Sequence, residues 1–241
     1  MRLGKRIGVI IPALDEERAI GRVIADIPCW ADDIVVVDNG SRDATAAVAR
    51  SAGARVVSEA QRGYGIACQT GLKALSHVDI VVFIDGDYSD HPSEMAGLVD
   101  PIATASAGMV IGSRVLGSAE HGALTPHQRF GNWLACRLMR LLFGTQYTDL
   151  GPFRAIDLRA LAALGMKDTA FGWTVEMQIR SLQMGLVVRE VPVSYRPRIG
   201  QSKISGTVMG SLRAGYAILS VILRAKLDRA PPGGAFRPGH S

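Results

Sequence analysis

The first half of this sequence alternates short apolar runs with segments of helical pattern, and this alternation constrains the fold more than any other feature. Strands that alternate with helices in this way form a parallel sheet with helices on both faces. A chain of 241 residues is long enough to bury the core of such a domain. The apolar runs predict five strands, at residues 7–11, 34–37, 55–57, 80–84 and 109–111.

The second half is predicted to be mainly helical. Residues 113–125 are rich in glycine and predict an irregular, mobile loop, and residues 148–154 predict another loop. Residues 187–195 alternate like a strand, and residues 228–241 predict a disordered tail. Four helices are predicted, at residues 127–143, 157–164, 173–184 and 207–227.

The composition is that of a globular protein, with 48% hydrophobic and 20% charged residues. The three cysteines are odd in number and lack the spacing of a disulfide framework or a zinc site, which favours the reducing cytoplasm. Residues 1–6 lack the apolar core of a signal peptide. No uncharged run reaches the ~18–20 residues of a bilayer span, so we expect no transmembrane segment.

Basic residues concentrate towards the C-terminal end. Residues 1–195 carry 19 basic and 21 acidic side chains, whereas residues 196–229 carry seven basic and one acidic. This segment is either a solvated helix face or a surface that meets phosphates, on a ligand or on a membrane. Nucleic acid is disfavoured as a partner, because aromatic residues do not interleave with most of these charges.

Charged residues follow most of the predicted strands. In parallel sheets of this kind, ligands bind beyond the carboxyl ends of the strands. The residues at these positions include Glu16, Asp38, Asp85, Asp87 and Arg114. Because these ends share one edge of the sheet, the sequence predicts a binding site there.

The segment Asp85-Gly86-Asp87 is the strongest local signal, since it follows a strand without polar residues. Two carboxylates at this spacing can reach one Mg²⁺ or Mn²⁺ together with phosphate oxygens. The glycine lets a ligand approach the backbone. Asp38 can accept hydrogen bonds from a base or a ribose. The alternative for both sites is an ordinary turn in which aspartate caps the backbone.

A loop with two cations and a glycine is the second strong signal. Arg198 and Lys203 can close over a diphosphate and neutralise the leaving group, or they can belong to a solvated connector. Neither a GxGxxG segment after the first strand nor a Walker loop is present. A dinucleotide dehydrogenase and a P-loop enzyme are therefore disfavoured.

The second half holds the candidates for acceptor chemistry. Asp149 lies in a predicted loop and is a candidate base. Glu176 is a candidate base, an acceptor contact or a helix-face charge, and Trp173, one turn before it, is a candidate acceptor contact. Arg129 lies in the first turn of a predicted helix, where it can hold a phosphate, and Arg154 follows Asp149 closely.

Eight motifs stand in one order along the chain and together resemble the family 2 glycosyltransferases, above all the dolichyl- and polyprenyl-phosphate mannosyl and glucosyl synthases. The resemblance covers residues 6–225. It implies the GT-A fold, a Rossmann-like α/β domain with a mostly parallel sheet flanked by helices. A nucleotide-sugar-binding half (6–114) would adjoin an acceptor half (115–227) that ends in an amphipathic helix. The motifs are VIIPALDEE, VVVDNGSRD, FIDGDYSDHP, IGSR, DLGPFRAI, GWTVEMQ, EVPVSYRPR and GQSKISG.

The resemblance also implies roles for individual residues. Arg114 is expected to approach the sugar or the acceptor phosphate, and Arg198 and Lys203 to clamp the diphosphate. Ser89 stands where relatives often carry a metal-contacting glutamine. The usual Ser-Gly-Phe or Gly-Asp-Phe before the arginine is Gly-Pro-Phe here, and Asp149 is favoured as the acceptor-side acid. The base and ribose pocket is expected to comprise Pro12, Leu14, Glu16, Val36 and Asp38, and the ribose, metal and diphosphate site Asp85, Gly86 and Asp87.

The implied activity is inverting transfer of a hexose from a nucleotide sugar of the UDP-glucose or GDP-mannose type. Polyprenyl phosphate is the expected acceptor, and Mg²⁺ or Mn²⁺ the expected cofactor. The expected location is the cytoplasm, at the membrane surface if helix 207–227 lies against lipid rather than against the core. A soluble hydroxyl acceptor and a catalytically silent nucleotide-sugar-binding module are the alternatives. A nucleotidyltransferase is disfavoured, because no basic, glycine-rich loop follows the first strand.

Overall fold

The computed structural model describes residues 1–200 and 208–227, with only the backbone described at 208–214 and 227. The described chain forms one sheet with helices packed against it. The strands are β1 (Ile7–Ala13), β2 (Asp33–Asp38), β3 (Arg55–Ser58), β4 (Ile80–Phe83), β5 (Met109–Ala119), β6 (Arg154–Asp157) and β7 (Val188–Tyr195). The helices are α1 (Ile20–Asp26), α2 (Thr45–Ser51), α3 (Tyr64–Ala74), α4 (Met95–Ala103), α5 (Pro126–Phe143), α6 (Leu158–Leu164), α7 (Trp173–Gln183) and α8 (Val208–Leu227).

The strand order is β3-β2-β1-β4-β6-β5-β7. Strand β1 is parallel to β2 and β4, β2 is parallel to β3, and β5 is parallel to β7. Strand β6 runs antiparallel to both of its neighbours, β4 and β5. The other six strands therefore end at one edge of the sheet. The predicted α/β class with a mostly parallel sheet is confirmed.

Two hydrophobic clusters cover the two faces of the sheet. One joins the sheet to α1, α2 and α4, and the other joins it to α3, α6 and α7. All four residues of β4 are buried, as its uninterrupted apolar sequence predicts for a central strand. The charged residues that follow β4 are therefore held on the most buried strand of the sheet.

A third cluster lies outside the two main layers. Helix α5 packs against α7 and α8 through Ala135, Met139, Val175, Ile179 and Ile222. The apolar side of α8 that the structure describes therefore contacts protein. Within the described parts of the chain, no helix has both the length and the hydropathy needed to cross a membrane.

One prediction about local structure is wrong, and one strand was not predicted. The glycine-rich segment 113–125 is not an irregular loop throughout, because β5 continues to Ala119 and pairs with β7 beyond a register shift. At Gly117 an added Cβ would lie 2.1 Å from the carbonyl oxygen of Val193, so this glycine permits close strand pairing. Strand β6 was not predicted, because four residues are too short to show a period. The predicted tail, residues 228–241, lies outside the described residues.

Candidate active site

The predicted strand-edge residues meet where β4, β5 and β7 end. Asp85 and Asp87 follow β4, Arg114 lies just beyond the regular pairing of β5, and Arg198 follows β7. The guanidinium of Arg198 forms an ion pair with Oδ2 of Asp87, although more than 100 residues separate them in sequence. Lys203, the other predicted cation of this loop, lies outside the described residues.

Asp87 organises the turn after β4. The backbone N–H and the hydroxyl of Ser89 donate to its Oδ1, at 2.9 and 2.5 Å. The N–H of Ile199 donates to its backbone oxygen at 2.9 Å. The carboxylate of Asp87 is only 4% exposed, so the turn and the loop after β7 form one connected unit.

Asp85 is half-buried beside Asp87. Burial, followed by the charge of Asp87, raises the pKa of Asp85 to about 7, while Arg198 and Arg114 oppose this rise. Glu16, at the end of β1, is close enough to add to it. The neighbouring carboxylates of Asp87 and Glu16 therefore add to the cost that burial imposes on the charged form of Asp85.

Asp90 adds a third carboxylate to this edge. Its side chain is 1% exposed in the structure, and neither oxygen has a hydrogen-bond partner among the described residues. Burial, together with the charges of Asp85 and Asp87, raises the pKa of Asp90 well above its usual range. A buried carboxylate without partners is costly, and the raised pKa of Asp90 favours its protonated, neutral form.

Arg114 and Asp149 form a second charged unit. Nε and Nη2 of Arg114 donate to the two oxygens of Asp149 at 2.8 and 2.6 Å, and the backbone N–H of Arg114 adds a bond of 2.8 Å. The Arg114 guanidinium also lies 5.0 Å from the centre of the Tyr195 ring. Both oxygens of the predicted base thus hold the arginine in place.

Arg196 anchors the loop after β7 to the turn after β4. Its guanidinium lies 3.3 Å from the centre of the Tyr88 ring and donates to the backbone oxygens of Tyr88 and Asp90, at 2.5 and 3.1 Å. Its N–H donates to the carbonyl of Ser89 at 3.0 Å. These contacts fix where the chain that carries Arg198 leaves the sheet.

Comparison with known proteins identifies the family. Residues 8–165 match the model of glycosyl transferase family 2. The chain belongs to glycosyl transferase family 2. An uncharacterized glycosyltransferase of Mycobacterium tuberculosis is 35% identical, over 88% of this chain and 95% of that protein. A dolichyl-phosphate hexose transferase of Haloferax volcanii is 31% identical, over 92% of this chain and 96% of that protein.

Solved structures of similar proteins share the fold. Glucosyl-3-phosphoglycerate synthase of Mycobacterium tuberculosis, in complex with Mn²⁺, UDP and phosphoglyceric acid, superposes with a TM-score of 0.76. Its sequence is 26% identical, and the match covers 92% of this chain and 79% of that one. The sheet with its helices is thus the GT-A fold that the sequence resemblance implies.

The residues expected to hold the nucleoside lie at the ends of β1 and β2 of this glycosyltransferase. Pro12 pairs with Val37 and Ala13 with Asp38 in the parallel ladder. The carboxylate of Asp38 accepts from the N–H of Ser41 at 3.1 Å, which is the capping contact of the alternative interpretation. Leu14 and Glu16 are half-buried at this edge.

Val36 differs from the other expected nucleoside contacts. Its side chain is fully buried and belongs to the hydrophobic cluster on the α1 side of the sheet. Val36 therefore lies below the surface at which the nucleoside pocket is predicted.

Of the four predicted acceptor contacts, three are buried and one is exposed. The guanidinium of Arg154 is buried and donates to backbone oxygens, among them that of Thr174 at 2.8 Å. Glu176 accepts from the N–H of Asp168 at 2.7 Å and from Arg180 at 2.7 Å. Trp173 is buried against Phe83, and Arg129 is exposed on α5. Their roles in acceptor binding stay predictions.

Sequence reasoning missed two of the residues that shape this site. Asp90 had a signal, because it is the third acidic residue within the six residues from Asp85. Tyr195, which packs beside Arg114, had none, because an alternating strand pattern does not reveal which ring will meet a charged group.

Proposed function

We propose that this glycosyltransferase moves a hexose from a nucleoside diphosphate sugar to a polyprenyl phosphate, with inversion at the anomeric carbon. One observation carries the choice of acceptor: Asp149, the predicted base, holds Arg114 with both carboxylate oxygens. A hydroxyl acceptor requires a base, whereas a phosphate monoester is already anionic at neutral pH. A site that presents a fixed arginine suits an anionic acceptor. The likeness to a dolichyl-phosphate hexose transferase supports the same choice.

The donor diphosphate is expected at the charged edge. Asp85 and Asp87 would hold a divalent cation, which would relieve the repulsion between their neighbouring carboxylates. Within residues 1–200 and 208–227, no three acidic, histidine or cysteine side chains converge into a metal site. A cation here would therefore take its other ligands from the diphosphate. Mg²⁺ or Mn²⁺, when bound, stabilises the negative charge of the departing diphosphate.

The residues of the chain divide the remaining work. Pro12, Leu14, Glu16 and Asp38 bind the nucleoside. Arg198 exchanges Asp87 for the diphosphate, and Lys203 adds a second positive charge there. Arg114, held by Asp149, binds the acceptor phosphate or the sugar.

The transfer itself is a single displacement. An oxygen of the acceptor phosphate forms a bond to the anomeric carbon, on the face opposite the diphosphate. The bond from that carbon to the diphosphate breaks, and its electron pair leaves with the nucleoside diphosphate. No proton has to move in this step, which agrees with a site whose predicted base is engaged by an arginine.

The proposed place of action is the cytoplasmic face of a membrane, with the protein bound peripherally. The scattered cysteines suit the cytoplasm, and a polyprenyl phosphate presents its headgroup at the bilayer surface.

A transfer assay tests the function. UDP-glucose and GDP-mannose are each supplied with Mg²⁺ or Mn²⁺, and the acceptors are a polyprenyl phosphate and 3-phosphoglycerate. We expect transfer from one donor to the polyprenyl phosphate, and Asp87→Ala is expected to abolish it. Transfer to 3-phosphoglycerate alone would contradict the proposed acceptor. Near-normal turnover by Asp87→Ala with metal present would contradict the proposed metal site.

A further inference from the structure

Helix α5 exposes large apolar side chains on its outer side. Phe130, Trp133 and Leu141 are 60, 58 and 67% exposed. The rings of Phe130 and Trp133 lie 5.8 Å apart at an angle of 32°, so they form one apolar patch. Residues 130, 133, 137, 140 and 141 share one face at helical spacing, and this face is called the α5 outer face.

The charged residues of helix α5 all have one sign. Arg137 and Arg140 are exposed on the α5 outer face, and Arg129 is exposed beside it. The sequence of α5 contains no acidic residue. Lys226 of α8 adds a cation at the end of α5, where its Nζ donates to the carbonyl of Leu142 at 2.8 Å.

The core of the protein does not account for this patch. The opposite side of α5 carries Ala135 and Met139, which are buried against α7 and α8. An exposed helix face that combines a tryptophan, a phenylalanine and a leucine with arginines is typical of helices that lie in a membrane interface. Tryptophan is also enriched at the level of the lipid headgroups.

We infer that the α5 outer face rests on an anionic lipid surface, with the rings of Phe130 and Trp133 at the boundary between headgroups and acyl chains. Arg137 and Arg140 then meet lipid phosphates. This inference deepens the proposed function and rests on it for the identity of the acceptor. It places the lipid contact on α5, whereas the sequence left open whether the C-terminal helix lies against lipid or packs on the core.

The inner side of α5 connects this surface to the site. The side-chain amide of Asn132 donates to the carbonyl of Thr148 at 3.0 Å, and its oxygen accepts from the N–H of Leu150 at 2.9 Å. Between these two residues lies Asp149, which holds Arg114. A lipid phosphate at the bilayer surface would thus meet a loop that is tied to the helix resting on that surface.

Flotation with vesicles tests the inference. Vesicles of phosphatidylcholine with 30 mol% phosphatidylglycerol are compared with phosphatidylcholine alone. We expect the wild-type protein to float with the anionic vesicles at low salt. Phe130→Ser/Trp133→Ser is expected to weaken binding at least about tenfold. Arg137→Gln/Arg140→Gln is expected to weaken it about tenfold at low salt, and to make less difference at high salt.

Val187→Ser is the matched control, because Val187 is 57% exposed at the amino end of β7. It is expected to float like the wild type. Equal flotation of the ring variant and this control would overturn the inference, as would absence of wild-type flotation. A wild-type dimer that the ring variant disrupts, without any flotation, would also overturn it. The arginine variant keeps the test valid if the ring variant does not fold.

A transfer assay separates this inference from the proposed function. With a short-chain, water-soluble prenyl phosphate, Phe130→Ser/Trp133→Ser is expected to match the wild type, and with polyprenyl phosphate in anionic vesicles it is expected to be at least about tenfold slower. Ring-dependent flotation without transfer to either acceptor would contradict the proposed function and support the membrane surface. Transfer to both acceptors at wild-type rates by the ring variant would contradict the membrane surface alone.

Discussion

The pair of Arg114 and Asp149 gives the sharpest test of the catalytic proposal. If Asp149 is a positioning residue, it acts only through Arg114. Replacing Asp149 then lowers activity no further once Arg114 has been replaced. As a base, it acts on the acceptor directly, and its loss adds to that of Arg114. The variants Arg114→Gln, Asp149→Asn and the double variant form a cycle that separates the two roles.

The structure sets the size of the effects. The side chains of Arg114 and Asp149 are 14 and 1% exposed, so either single variant leaves a charge buried without its partner. Breaking such a pair costs about 3 kcal/mol or more, which lowers the melting temperature by about 6–12 °C in a domain of this size. Loss of a fixed guanidinium from the site is expected to lower kcat/KM by about 10²-fold.

The assay measures kcat/KM for transfer to a prenyl phosphate as a function of pH. The double variant is expected to be no slower than Arg114→Gln. In the wild type and in Asp149→Asn, the rate is expected to rise with pH through about 6, as the acceptor phosphate loses its second proton, and then to level off. Loss of a catalytic base typically lowers the rate by ~10²-fold or more. A double variant whose kcat/KM is lower than that of Arg114→Gln by this further factor would refute the positioning role.

The more exposed ion pair of Arg55 and Asp33 is a control for the loss of a charged pair away from the site. It has a similar distance, 2.6 Å, but it lies at the start of β2 and β3, at the other edge of the sheet. Arg55→Gln and Asp33→Asn are expected to leave kcat/KM unchanged. A similar loss of activity in these variants would show that the effects at Arg114 and Asp149 reflect general destabilisation.

Three further predictions concern single residues. Gly86→Ala is expected to leave the melting temperature unchanged, because the added Cβ would lie 3.4 Å or more from its neighbours. The variant is expected to bind the donor more weakly in calorimetry, and unchanged binding would contradict close approach of the ligand to residue 86. Glu176→Gln is expected to lower the free energy of unfolding by about 1–3 kcal/mol, because the Glu176 carboxylate forms an ion pair with Arg180. It is expected to leave kcat unchanged, and a pH-dependent loss of kcat would favour a role of Glu176 as a base. Burial raises the pKa of Cys136 to about 12, so little thiolate exists at pH 8, and iodoacetamide is expected to label exposed Cys29 first in mass spectrometry; faster labelling of Cys136 would contradict its burial.

The local sequence was enough to predict most of the sheet. The run 80–84 has no polar residue, which is typical of a strand buried on both faces. The acidic residues 85 and 87 follow this run directly in the sequence, so their place at the end of the strand could be predicted. Strand β6 was not predicted, because its four residues show no strand pattern in the sequence. They form a strand because the fold places them between β4 and β5. The glycines of β5 indicated a loop in sequence, yet in the structure Gly117 lets β7 approach.

The sequence predicted which residues are candidates for the site better than it predicted which residues they contact. Asp149 was correctly placed in a loop, but its pairing with Arg114 depends on how two distant segments meet. The sequence likewise gave Glu176 a helical position without showing that it binds the backbone before its own helix. Such partners are set by tertiary packing, which neither spacing nor propensity reports.

The central claim is that the acidic turn after β4 and the arginines beside it hold the diphosphate of an activated sugar. A crystal structure with a nucleoside diphosphate sugar and Mn²⁺ tests this most directly. We expect the cation between the diphosphate and the carboxylates of Asp85 and Asp87, with Arg198 turned from Asp87 onto a phosphate oxygen. An ordered diphosphate bound elsewhere, with both carboxylates facing away from it, would contradict the claim.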